Sequence, residues 1–268
     1  PRDAFPRASS RQAWVHSCCD RAALDAALVD PAVTAIETDV LWSPTQSAVV
    51  HAHPPATTSD LAFDAFMDAA TASPVAKHLK LDFKEPGVVA PCVASLDAYY
   101  ARLLRSRKQT VWLNADVLPG PGLPTCAFDA DDFVRTCRRL DGAIPSLGWR
   151  CDVGLAGAYS DEDADAMLAL VRKHGLATSP AVVFAANLRI AVRDPRPLAR
   201  LLERTNAELL LWTGAGEPPV SERVVEAAKR AFPEDRVAFD ANVAASPATA
   251  AAHALRLGLY RAWRRFGA

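Results

Sequence analysis

Apolar, β-branched runs alternate with stretches of helical period along the whole chain. The runs AWVHSC (13–18), TAIETDVLW (34–42), HLKLDFK (78–84), TVWLNADVL (110–118), IPSLGWRCD (144–152), PAVVFAANLRIAV (180–192), AELLLWTG (207–214) and RVAFDAN (236–242) read as strands. Each leads into a predicted helix. Asp20 caps the first, Ser59-Asp60 opens the second, and SLDAYYARLLRSRK (95–108) forms the third. DADDFVRTCRRL (129–140) is the fourth. Ser160 with three acidic residues starts the fifth, which Gly175 closes. DPRPLARLLERT (194–205), SERVVEAAKRAF (221–232) and a long terminal segment (246–265) supply the rest. A short apolar extension, AVVHAH (48–53), follows the second strand.

Strand–helix alternation predicts a parallel sheet, and about eight repeats in this length predict a closed (β/α)8 TIM-type barrel, an α/β fold. No Gly-rich fingerprint follows the first strand, which argues against a doubly wound dinucleotide fold. No Gly/Ser-rich linker interrupts the pattern, so residues 1–268 read as a single domain, with 1–12 as an extended N-terminal segment. A chain of 268 residues, half of them apolar, can fill such a core. The formal net charge of −1 argues against nucleic-acid binding. No apolar run reaches the roughly 18 residues of a membrane span. The cysteines at 18, 19, 92, 126, 137 and 151 lack zinc-site spacing and are expected to be mainly free thiols.

The chemistry concentrates in IETDV and KLDFK. Residues at i and i+2 of a strand share a face, so Glu37 pairs with Asp39 and Asp82 with Lys84. Buried charges on one face need partners or a metal. Three carboxylates beside a lysine suit a hard divalent cation with a cationic neighbour for phosphate. The strand ends that would form a barrel mouth also carry His16, His53, Asn114, Asp116, Trp149 and Trp212. Two histidines there would supply a general acid and a general base. His51 competes with His53 for that place, although the prolines after His53 put it nearest the strand end. Lys80 shares the face of Asp82 but lies deeper, where structural pairing is expected. Asn114 and Asp116 are candidate substrate contacts or turn caps. Trp149 and Trp212 are equally suited to packing and to an organic ligand.

The runs WVHS, IETDV, AHPP, KLDFK, VWLNADVLPGPG, SLGW and LLWTG, in this order, resemble the menorin family of PLC-like phosphodiesterase barrels. The order His, Glu-x-Asp, His, Asp-x-Lys is more distantly similar to glycerophosphodiester phosphodiesterases and sphingomyelinase D. The resemblance implies one magnesium or calcium ion held by Glu37, Asp39 and Asp82. It implies His16 and His53 as acid and base, in either assignment, and Lys84 as a stabiliser of phosphate charge. Three departures stand out: Ser17-Cys18 replaces the Arg-Gly that follows the first diesterase histidine, Cys18-Cys19 stand near where the menorin pattern has an asparagine, and Pro54 replaces the Asp after the second diesterase histidine.

The expected activity is metal-dependent phosphodiester cleavage, by hydrolysis or cyclisation, on a small phosphodiester or lipid headgroup. The resemblance also leaves an alternative, a catalytically silent extracellular adaptor with a protein partner, and it slightly favours a secreted or extracytoplasmic location.

Overall fold

The computed structural model describes residues 13–107, 109–155, 157–179, 182–214 and 217–244. The expected N-terminal segment 1–12 and terminal helix 246–265 lie outside these residues. The strands are β1 (Trp14–Val15), β2 (Ala35–Ser43), β3 (Ala48–His51), β4 (His78–Phe83), β5 (Val111–Pro119), β6 (Ile144–Arg150), β7 (Val183–Asn187), β8 (Glu208–Trp212) and β9 (Val237–Asp240). The helices are α1 (Arg21–Val29), α2 (Phe63–Ala72), α3 (Val89–Arg107), α4 (Ala130–Cys137), α5 (Asp161–Lys173), α6 (Leu188–Ala191), α7 (Arg196–Glu203) and α8 (Glu222–Ala231). The sheet order is β1-β2-β4-β5-β6-β7-β8-β9, with β3 added beside β2. Eight strands in chain order, alternating with helices, make the fold a TIM-type (β/α)8 barrel. No described helix is long and apolar enough to cross a membrane.

The chain divides into two compact units. In the unit formed by 13–115 and 127–146, β2 pairs in parallel with β1 and β4, and β4 with β5. The register sets Glu37 opposite Lys80, Asp39 opposite Asp82, and Asp82 opposite Asn114. One face of the sheet therefore carries a polar ladder. Ile36, Val40, Leu79, Leu81, Phe83 and Leu113 are buried on the other face. There Phe83 meets Phe133 of α4, with ring centroids 6.3 Å apart. A parallel-sheet strand is covered on both sides, and β2 is buried at every position except Trp42.

In the unit formed by 116–126 and 147–244, β8 pairs in parallel with β7 and β9. Ser160 starts α5 and Gly175, with φ at +67°, ends it, as the sequence predicts; the structure adds that Ser160 and Asp163 cap the helix reciprocally. Gly120, in the PGPG turn, is required by close approach. A Cβ there would come within 2.7 Å of Trp149 Cβ and 2.9 Å of the Arg150 carbonyl.

Three local expectations are corrected. The first strand spans only 14–15, because Ser17 turns into the left-handed region at φ 53°. The sixth run is a strand only to Asn187. The Asn187 side chain then accepts from Arg189 N–H at 3.0 Å and starts the short α6. Ser59 and Asp60 do not cap α2. Asp60 accepts from Arg21 N–H at 3.0 Å, at the start of α1, and α2 begins at Phe63. All six cysteines are free; Cys18, Cys92 and Cys137 are buried.

Candidate metal and phosphate site

The polar ladder ends in a cluster of three carboxylates and two lysines. One ligand oxygen from each of Glu37, Asp39 and Asp82 lies within 4.8 Å of the others. Glu37 and Asp39 are almost wholly buried, at 1% and 2% exposure. Period-two alternation on β2 and β4, with those strands in register, is what brings these groups together.

Each carboxylate is held by named donors. Glu37 Oε2 accepts from Ser17 N–H at 2.6 Å and faces His16 Nδ1 at 3.5 Å. Asp39 Oδ2 accepts from the Ser17 hydroxyl at 2.9 Å and from the Cys19 thiol at 3.3 Å. Asp82 Oδ1 accepts from the Asn114 amide at 2.8 Å, and the Asn114 carbonyl oxygen accepts from Ser146 Oγ at 2.6 Å. The Lys84 ammonium bridges Asp39 Oδ1 at 2.6 Å and Asp82 Oδ2 at 2.8 Å. Lys80, buried as expected, lies 3.6 Å from Glu37 Oε1 and 4.0 Å from Asp82 Oδ2.

The electrostatics follow from burial and these neighbours. Burial pushes the Glu37 carboxyl up to about 7, against the pull of Lys80. Burial acts the same way on Asp82, but Lys84, Lys80 and the hydrogen bonds from Lys84 and Asn114 outweigh it and hold that carboxyl below its usual value. Lys84 stays firmly charged: burial disfavours the ammonium, and Asp82, Asp39 and Glu37 more than offset that. Burial raises the Cys19 thiol to about 12, with Asp39 adding to the effect. When all five groups are ionised, carboxylates exceed ammonium groups by one.

These residues fit a hard cation. The donors are oxygens, they converge, and Glu37 Oε1 is a buried acceptor with no hydrogen-bond partner among the described residues. With a divalent cation added, the cluster would carry one excess positive charge.

His53 is half-buried just past β3, and its Nδ1 lies 2.6 Å from the Pro54 carbonyl. A carbonyl only accepts, so Nδ1 carries a proton and Nε2 is the atom available for proton transfer. His51 belongs to the core. It stacks on Phe63, packs on Phe66, and meets Thr38 Oγ1 at 2.8 Å. Burial lowers its pKa to about 3.

The other expected contacts lie in the second unit. Trp149 is fully buried. Its indole N–H donates to the Asp163 carbonyl at 3.1 Å, and its ring packs on Tyr159 and Phe184, which is a packing role. Trp212 is half-buried at the end of β8, in register with Asn187 and Asp240. Asp116 is half-buried, and its carbonyl oxygen accepts from the Cys126 thiol at 2.7 Å. Ser17, Cys19 and Ser146 were not legible as site residues. No sequence signal marks them beyond the Ser17-Cys18 departure after His16.

A TIM-type barrel with an acidic and lysine cluster on its inner strand face is the class of protein this structure defines. Residues 9–245 match the Menorin N-terminal domain, and the chain belongs to that family. Human Protein FAM151B is 35% identical over 140 residues, which cover 51% of this chain and 48% of FAM151B. The match thus spans about half the length of that relative. A crystal structure of a presumed lyase/mutase from Burkholderia cenocepacia J2315 is similar over 98% of this chain and 87% of its own, with 16% identity and a TM-score of 0.46.

Proposed function

We propose that the chain is a divalent-cation-dependent phosphodiesterase, cleaving a small phosphodiester or lipid headgroup ester by histidine acid–base catalysis. The observation that carries this reading is the convergence of Glu37, Asp39 and Asp82, where Glu37 Oε1 has no hydrogen-bond partner among the described residues, with Lys84 at their edge. Magnesium or calcium is the expected ion, held by these three carboxylates, and when bound it supplies positive charge to a non-bridging phosphate oxygen.

Lys84 adds a fixed positive charge where negative charge grows in the transition state. His16 presents Nδ1 to Glu37, so proton transfer falls to its Nε2, as it does in His53. One ring takes the proton of the attacking hydroxyl or water, and the other protonates the leaving alcohol. Asn114, held by Ser146, fixes the orientation of Asp82.

The test is hydrolysis of bis-p-nitrophenyl phosphate by chelator-treated protein, with magnesium or calcium added back. Cation-dependent turnover lost in Asp39→Asn and Asp82→Asn supports the proposal. Cation binding without turnover of this or any glycerophosphodiester would sink it and leave the adaptor reading.

A further inference from the structure

Ser17 occupies an unusual backbone conformation for a non-glycine residue, φ 53°. Several contacts hold it there. Cys18 N–H donates to the Glu37 carbonyl at 2.9 Å. The Thr38 hydroxyl donates to the Cys18 carbonyl at 2.8 Å, and the Ser59 hydroxyl donates to the Cys19 carbonyl at 2.7 Å. Residues kept in sparsely populated conformations by surrounding bonds concentrate at functional sites. Here the turn has a specific product. In a continued strand, Ser17 would face away from His16. The left-handed turn instead brings the Ser17 amide to Glu37 Oε2 and its hydroxyl to Asp39 Oδ2. One residue thus grips two carboxylates from adjacent inward positions of β2.

We propose that Ser17 is a positioning residue that sets the divalent-cation affinity of the Glu37–Asp39–Asp82 cluster. This rests on the cation site of the proposed function. The Ser17 amide and hydroxyl occupy one oxygen of each carboxylate. That fixes the rotation of both groups and leaves Glu37 Oε1, 3.6 Å from Lys80 Nζ, without a hydrogen-bond partner among the described residues. Groups that orient metal ligands typically account for about 10–100-fold in affinity. The Cys19 thiol, 3.3 Å from the same Asp39 oxygen, is the weaker donor.

Glycine separates the backbone role from the hydroxyl role, because it adopts a left-handed φ without strain and keeps the amide. Calorimetric titration of magnesium and of calcium into chelator-treated wild type and Ser17→Gly, paired with cation-free thermal unfolding, makes the test. The expected result is an unfolding midpoint within a few degrees of wild type and an affinity about 10–100-fold weaker. Ser17→Ala should show the same loss of affinity and a lower midpoint, since it keeps the Cβ in a strained conformation. Wild-type affinity in Ser17→Gly would overturn this inference alone. Failure of the wild type to bind either cation would overturn the cation site itself, and this inference with it.

Discussion

Lys84 Nζ lies 2.6 Å from Asp39 Oδ1, the oxygen opposite the one that takes the Ser17 hydroxyl. The ammonium therefore sits against two of the carboxylates assigned to the cation, since it also contacts Asp82. It contributes to the cluster in two ways. It compensates buried negative charge, and it occupies oxygens that the proposed cation would need.

Lys84→Met separates these contributions. Lys84 is itself half-buried, but its removal leaves the buried Asp39 carboxylate without its ammonium partner, so the cation-free midpoint should fall. Magnesium or calcium should restore it, with affinity equal to or tighter than wild type. The kcat on a phosphodiester should drop by about 10²–10³ with a smaller change in KM, because the lost charge acts mostly on the transition state. Loss of cation binding in this variant would refute the competition.

The histidines should sort by role. Alanine at His16 or His53 is expected to lower turnover by about 10²–10⁴ and leave the unfolding midpoint nearly unchanged. Alanine at His51 is expected to destabilise by about 2–4 kcal/mol, because it empties a buried site against Phe63 and Phe66. Thermal unfolding and initial rates on the three purified variants decide this. A stable, inactive His51→Ala would reverse the assignment.

Glu37 predicts an unusual pH dependence. Its pKa rises on folding from 4.5 to about 7. The folded protein thus holds a proton in a range where the unfolded chain does not. Its contribution to stability is complete below about 4.5 and is lost as pH climbs towards 7. Without cation, the midpoint of Glu37→Gln should gain on that of wild type across this interval. His51, lowered from 6.5 to about 3, works in the opposite direction but equally in both proteins, so the difference isolates Glu37. Wild-type cation affinity should rise over the same interval as the competing proton leaves. A pH-independent difference would contradict the buried, protonated carboxyl.

Trp149→Ala should cost about 3–5 kcal/mol and leave cation affinity untouched, as expected for a wholly buried ring packed on Tyr159 and Phe184. Gly120→Ala should also destabilise, because the added methyl meets the Arg150 carbonyl and the Trp149 Cβ. Denaturant unfolding of both variants, alongside calcium titration, checks the pair.

The legibility of the site tracks the physics that builds it. Glu37, Asp39, Lys80, Asp82 and Lys84 were readable because strand period alone puts them on common faces, and parallel register does the rest. Ser17 was not, because its conformation is imposed by contacts from Glu37 and Thr38 far along the chain. Trp149 was ambiguous because an aromatic at a strand end serves a core as well as a ligand. The helix at 188–191 was hidden inside an apolar run, where period gives way to a single capping side chain on Asn187.

The charge balance of the ladder has a kinetic consequence. Above the pKa of Glu37, the five side chains together carry a net negative charge and would repel the phosphodiester of the proposed function. With a divalent ion bound, they would attract it. The two species should therefore load in a fixed sequence, ion before ester. On the proposed function, the ion should behave as an obligatory leading activator in initial-rate patterns, and excess ester should not sequester the protein in an unproductive complex.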